Sequence, residues 1–131
     1  LEKTITALKG RKKSGNRLSR NSKLFKTILN AIKDKKGIHI ISLDLRKIDE
    51  AVADFFILCE GGSHTQVKAI KDNIEEKVRE ECAEKPYHME GGDQWSLMDY
   101  VDIVVHIFQK DQRKFYNLES LWADAEQVEH E

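Results

Sequence analysis

"ADFFILCEGGSHTQVKAIKDNIEEKV", residues 53–78, fixes the fold class. Its first eight residues are an almost unbroken apolar run, the pattern of a strand buried on both faces at the centre of a sheet. Gly61 and Gly62 then permit a tight turn, and Ser63 followed three residues later by Gln66 is an S-x-x-Q capping box. Beyond it Val67, Ile70, Ile74, Val78 and Cys82 recur at helical spacing and draw one apolar stripe. Lys68, Lys71, Asp72, Glu75, Glu76 and Arg79 form the solvated opposite face. Strand, turn and amphipathic helix in succession place the chain among α/β proteins.

Upstream, "IHIISLDL" (38–45) is rich in β-branched residues and reads as a strand. Leu24, Phe25, Ile28, Leu29 and Ile32 precede it with helical periodicity, with Asn21 or Ser22 as N-cap and "KDKKG" as the C-terminal stop. Downstream, Pro86 ends the long helix and opens a short strand, "YHME". Gly91–Gly92 turns the chain into "QWSLMD", and "YVDIVVHIF" follows as the last strand. Asp111 is a cap for a short helix at "QRKFY", and "NLESLW" returns Leu118, Leu121 and Trp122 to the core. The expected architecture is α-β-β-α-β-β-β-α, a mixed sheet of about five strands with flanking helices.

The 131 residues suit one domain with one core. No apolar run approaches the roughly 20 residues that span a bilayer, and no secretory signal pattern follows the basic N-terminus. A cytosolic location is expected. Cys59 and Cys82 lie at apolar positions without zinc spacing, and their charged sequence neighbours are acids, which disfavours a reactive thiolate. They read as reduced core thiols.

The net charge of −1 conceals a division. Residues 1–26 carry nine Lys/Arg and one acid, whereas residues 27–131 carry thirteen Lys/Arg and twenty-two acids. Residues 1–21, with Gly10, Gly15 and little periodicity, read as a basic, flexible extension. Residues 22–128 form the folded domain. The extension has the cation density for phosphate contact but no aromatic residue for stacking on bases; a solubilising tail is the plainer alternative.

Three chemistries compete for residues 88–106. A Gly-Ser turn opening a helix can hold phosphate, as in metal-dependent nucleotidyltransferases, which add a D-x-D pair on a strand. Here Asp99 and Asp102 are three apart, and a regular strand sends such side chains to opposite faces. A metal site would combine His88 and Glu90 with Asp102 or His106. The latter two, four apart on a strand, are about 13 Å from each other and cannot share an ion. The third reading is a docking surface: Glu90, Trp95, Asp99, Tyr100 and Asp102 interleave large rings with carboxylates around one turn and strand pair. Its plainer alternative is that Trp95 and Tyr100 cap the core.

"LDLR", "ADFFILCEGGSHTQVKAIKDNIEEKV", "KPYHMEGG", "WSLMDYVDIVVHIF" and "RKFYNLESLWADA" come in the order and spacing of one family. Across residues 22–126 the chain resembles the ribosomal silencing factors, also called RsfS or Iojap. The resemblance implies a nucleotidyltransferase-like fold without the catalytic motif, no enzymatic activity, no cofactor and no metal. It further implies binding to the large ribosomal subunit through its fourteenth large-subunit protein and blocked joining of the small subunit. Repression of translation under nutrient limitation, a part in large-subunit maturation and a homodimer when free are also implied. Carried over by motif, the ribosome-binding residues are Glu90, Gly91, Trp95, Asp99, Tyr100, Asp102 and His106, bordered by Gly62, Ser63 and Gln66. Ribosomal RNA contact by the basic arm is a further expectation. One departure stands out: Val101 occupies a position where the family often has Gly.

Overall fold

A computed structural model describes residues 18–92, 94–112 and 123–131. Helix α1 spans Leu18–Asp34 and is followed by strands β1 (Ile38–Asp44) and β2 (Phe55–Gly61). Helix α2 (His64–Cys82) leads to β3 (His88–Gly91), β4 (Trp95–Asp99), β5 (Ile103–Gln109) and β6 (Glu126–His130). The strands form one sheet in the order β3-β4-β5-β2-β1-β6. Only β2 and β5 run parallel; the other neighbours are antiparallel. Parallel pairing requires a crossover, and α2 with the β3–β4 hairpin supplies it.

The apolar run of β2 sits at the sheet centre, with Phe56 to Cys59 buried. Alternation along the strands splits the interior into two layers. On one face Ile40, Ile57, Cys59, Met98, Ile103, Val105 and Ile107 pack against α1 and α2. Leu24, Ile28 and Ile32 of α1 are fully buried there, each contributing roughly 1.5–3 kcal/mol of transfer free energy. On the other face Phe56, Leu58, Trp95, Leu97, Val104 and Phe108 pack with Leu45, Ala51, Val52 and Ala53 of the β1–β2 connection.

Ser63 is the N-cap of α2, its Oγ accepting from the Gln66 N–H at 3.2 Å. The Gln66 side chain reaches past the cap residue. Its Oε1 accepts from Gly62 N–H at 2.7 Å, and its Nε2 donates to the carbonyls of Lys35 and Lys36, both at 3.0 Å. One side chain thus ties the β2–α2 turn to the α1–β1 turn.

Three expectations change. Helix α1 starts by Leu18. Asn21 is not a cap: it is 7% exposed and its Nδ2 donates to Asp54 Oδ2 at 3.2 Å. The sheet has six strands, not about five. The additional strand, "EQVEH", has one apolar residue and no burial pattern to announce it. Backbone pairing with β1 forms it, helped by a 2.8 Å hydrogen bond between Ser42 Oγ and His130 Nε2. The stretch read as one strand from Tyr100 to Phe108 begins only at Ile103, because a turn intervenes. The expected helix at "QRKFY" and the return of Leu118, Leu121 and Trp122 lie outside the described residues, save Gln112. Asp111 sits in a turn at φ 73°.

Candidate docking surface

Strands β4 and β5 carry most of the candidate residues, and their hairpin decides where each points. Trp95, Leu97 and Asp99 alternate with Ser96 and Met98, so the first three share the face opposite the helices. Val104, His106 and Phe108 join them from β5. Trp95 Nε1 donates to His106 Nδ1 at 3.1 Å, which makes Nδ1 the acceptor nitrogen of a neutral ring. Trp95 also stacks on Phe108 with centroids 5.2 Å apart, and Phe56 lies 4.7 Å from His106. Burial among these rings lowers the His106 pKa from 6.5 to about 3.

Tyr100 points the other way, into the layer beneath the helices. Burial, reinforced by Glu75, pushes its phenol well above the usual range. The chain then reverses over Val101. Asp102 N–H donates to the Tyr100 carbonyl at 3.0 Å, closing a three-residue turn in which Val101 has φ 76°. Asp99 Oδ1 accepts from Val101 N–H at 2.8 Å and braces the corner. The Asp102 carbonyl accepts from Asp54 N–H at 2.8 Å and Phe55 N–H at 3.1 Å, joining the corner to the start of β2.

As folded here, these side chains do not form an exposed surface. Trp95, Asp99, Tyr100, Asp102 and His106 are all between 0 and 2% exposed. For Trp95 and Tyr100 the plainer alternative holds, as each closes a core layer, on opposite sides of the sheet. Asp99 braces the turn with its carboxylate, and Asp102 takes part through its backbone N–H and carbonyl. His88 and Glu90 pair with each other across 3.2 Å on β3, and no three His, Cys, Asp or Glu side chains converge among the described residues. His39 and His64 are exposed, at a bulge in β1 and at the first position of α2. Cys59 is in the core, and Cys82 is half-buried with Sγ 3.6 Å from Thr27 Oγ1.

What remains accessible is the rim of this region. Strand β3 is a sheet edge, and its register sets Glu90 beside Leu97 and His88 beside Asp99. Glu90 therefore borders the buried Trp95–His106 layer from outside. Gly91 is exposed and has φ 119°; a Cβ there would collide with the Trp95 carbonyl oxygen, so only glycine fits. Gly62, Ser63 and Gln66 lie at the same end of the sheet, because the Gly61 carbonyl accepts from Lys110 N–H and Gln94 O from Gln109 N–H, both at 2.8 Å. Residue-by-residue reasoning missed Tyr87, 73% exposed, and Met89, 38% exposed, beside Glu90. The signal was a large apolar side chain on either side of His88, directly after Pro86.

A family model described as "Ribosomal silencing factor during starvation" matches residues 19–131. The chain belongs to the ribosomal silencing factor family. It is 42% identical over 113 residues to the ribosomal silencing factor RsfS of Halalkalibacterium halodurans, a match covering 85% of this chain and 95% of that relative. A crystal structure from Bacillus halodurans superposes with a TM-score of 0.71 at 36% identity, covering 83% of this chain and 99% of that one. One from Chromobacterium violaceum gives 0.73 at 32% identity, over 78% and 85%. The segment outside the RsfS match, residues 1–18, falls within the basic extension. Within the RsfS fold, β3 and the two glycine turns are what this chain leaves open beside its buried aromatic layer.

Proposed function

We propose that this protein is a non-enzymatic repressor of translation in the cytoplasm. It docks on the large ribosomal subunit through the fourteenth large-subunit protein and blocks the small subunit by its bulk, under nutrient limitation. A part in large-subunit maturation fits the same docking. The observation that carries this reading is the family match across the whole described fold. Steric exclusion asks only for affinity and volume.

The docking surface is the β3 edge with its flanking turns. Glu90 and Gly91 contact the partner together with Tyr87, His88 and Met89, and Gly62, Ser63 and Gln66 form the border. Trp95, Asp99, Tyr100, Asp102 and His106 act from behind by holding β3 and the hairpin in place. An amphipathic ring at the centre and charges at the rim are the usual composition of such contacts. The free protein is a homodimer, and the basic arm adds ribosomal RNA contact.

Sedimentation with isolated subunits, followed by a subunit-joining assay, tests the proposal. Wild-type protein is expected to travel with the large subunit and suppress joining, and unbound protein to sediment as two chains of 15.2 kDa. Tyr87→Ala combined with Glu90→Lys should leave the fold intact and weaken subunit binding about tenfold or more, the scale of losing one anchor residue. Unchanged binding by this folded variant would move the docking surface elsewhere. Trp95→Ala and Asp102→Ala are unsuitable as interface probes, because both residues are buried and their loss unsettles the fold.

A further inference from the structure

Helix α1 divides its residues sharply. Leu24, Ile28, Ala31 and Ile32 are buried against α2 and the sheet, whereas Lys23, Lys26, Asn30 and Lys33 are exposed. Spacings of three, four and three put these four side chains within about 80° of arc and along about 15 Å of helix axis. Lys35 and Lys36 extend the cationic surface into the following turn. None of these five lysines forms an ion pair among the described residues. Helix α2 is different: its exposed Lys68 is bridged to Asp72 at 2.7 Å, and Lys77 to Glu80 at 3.7 Å. At the far end of the α1 surface, Asp34 is exposed beside Lys33, and Glu129 and Glu131 share a groove with Lys33 and Lys36.

The charge division follows this helix more closely than it follows the extension. Residues 1–36 hold twelve Lys/Arg against Glu2 and Asp34, a balance of +10. The remaining ten Lys/Arg face twenty-one acids, a balance of −11, and the two give the net −1. Lysines left uncompensated on a protein with so many carboxylates mark a surface whose counter-charge comes from outside.

We infer that the outer face of α1 is a binding track for the phosphate backbone of RNA, with Lys23, Lys26 and Lys33 each meeting a phosphate. A row of cations with steps of about 4.5 and 10.5 Å along one axis suits a linear polyanion, which carries phosphates in regular succession along its length. A folded acidic protein presents no such row. A membrane surface is disfavoured because the apolar face of α1 is committed to the core, leaving nothing to insert beneath the headgroups. The track needs no sequence reading: lysine contacts to phosphate position a protein and supply salt-dependent affinity. This inference rests on the ribosome-binding reading for the identity of the RNA, and it adds a second contact independent of β3.

The test compares the full chain with two triple variants of equal net charge. One is K23E/K26E/K33E on α1, the other K68E/K71E/K77E on α2. Each is titrated against a fluorescent 20-base-pair RNA hairpin, phosphatidylserine vesicles and isolated large subunits over a salt series. Wild type should bind the hairpin with a steep salt dependence. The α1 variant should lose about tenfold or more in affinity at low salt and flatten the log–log salt slope by roughly 2–3, one per lost phosphate contact. The α2 variant should keep its slope. Equal losses in both variants, a wild type that ignores the hairpin, or tighter binding to vesicles than to hairpin would each overturn the assignment. On subunits, the α1 variant should also bind more weakly; unchanged subunit affinity beside lost hairpin binding would refute the ribosomal target. Should Y87A/E90K alone fail to alter subunit binding, the β3 reading falls and the α1 track stands.

Discussion

Val101 sits at the corner of the β4–β5 hairpin with φ 76°, a region that a β-branched side chain enters only under strain. The Tyr100–Asp102 hydrogen bond and the Asp99 brace hold it there. Val101→Gly should therefore stabilise the domain, by about 1 kcal/mol once the extra entropy of glycine in the unfolded chain is set against relieved strain. A thermal midpoint raised by a few degrees would show it; a lowered midpoint would mean that Val101 packing outweighs the strain. His106 makes a second prediction at this scale. Its folded pKa of about 3 lies below the unfolded 6.5, so the unfolded chain binds the proton more readily. The stability this provides is full above pH 6.5 and is lost as pH falls toward 3, at up to about 1.4 kcal/mol per unit. Denaturant midpoints should decline from pH 6.5 to 4, and His106→Gln should shallow that decline. Parallel pH profiles in both proteins would remove His106 as the cause. The residue types were legible in the sequence here, but their roles were not: interleaved rings and carboxylates look alike whether they face a partner or brace a turn.

At the scale of elements, the Ser63 half of the S-x-x-Q box reached the structure as read, and so did the α2 stripe of Val67, Ile70, Ile74 and Val78, whereas the Gln66 amide turned to Gly62 N–H. Local patterns dictate both. What Gln66 does with its second amide atom, bonding the Lys35 and Lys36 carbonyls, joins segments thirty residues apart. Ser63→Ala should cost about 1 kcal/mol, the usual loss of an N-cap. Gln66→Ala should cost more, because three hydrogen bonds go and the α1–β1 turn is released. Equal urea midpoints for the two variants would show that the tie to α1 contributes nothing. Strand β6 was invisible beforehand for the opposite reason. An edge strand with exposed side chains is held by backbone pairing, which leaves no period-2 signature. Residues 18–21 were assigned to the extension because a helix start is judged from caps, and Asn21 looks like one. Its partner, Asp54, is supplied only by the folded chain.

Across the whole molecule, composition and order determined the class: a centre-sheet run, a capping box and an amphipathic helix in succession admit little besides a mixed α/β layer structure. The five separated motifs likewise pointed to the ribosomal silencing factor family before any coordinates. Charge division was countable too, although its boundary moved from the extension onto α1 once the helix showed which lysines stay exposed and, among the described residues, outside any ion pair. Tertiary structure alone decided which polar residues are inside. Asp99 and His106 are hydrophilic by type and buried by position: a hairpin turn engages the Asp99 carboxylate, and a tryptophan N–H engages Nδ1 of His106, at atoms that periodicity cannot see. Periodicity reports the average side of an element, whereas burial of a single polar group depends on whether a distant residue supplies its hydrogen bond.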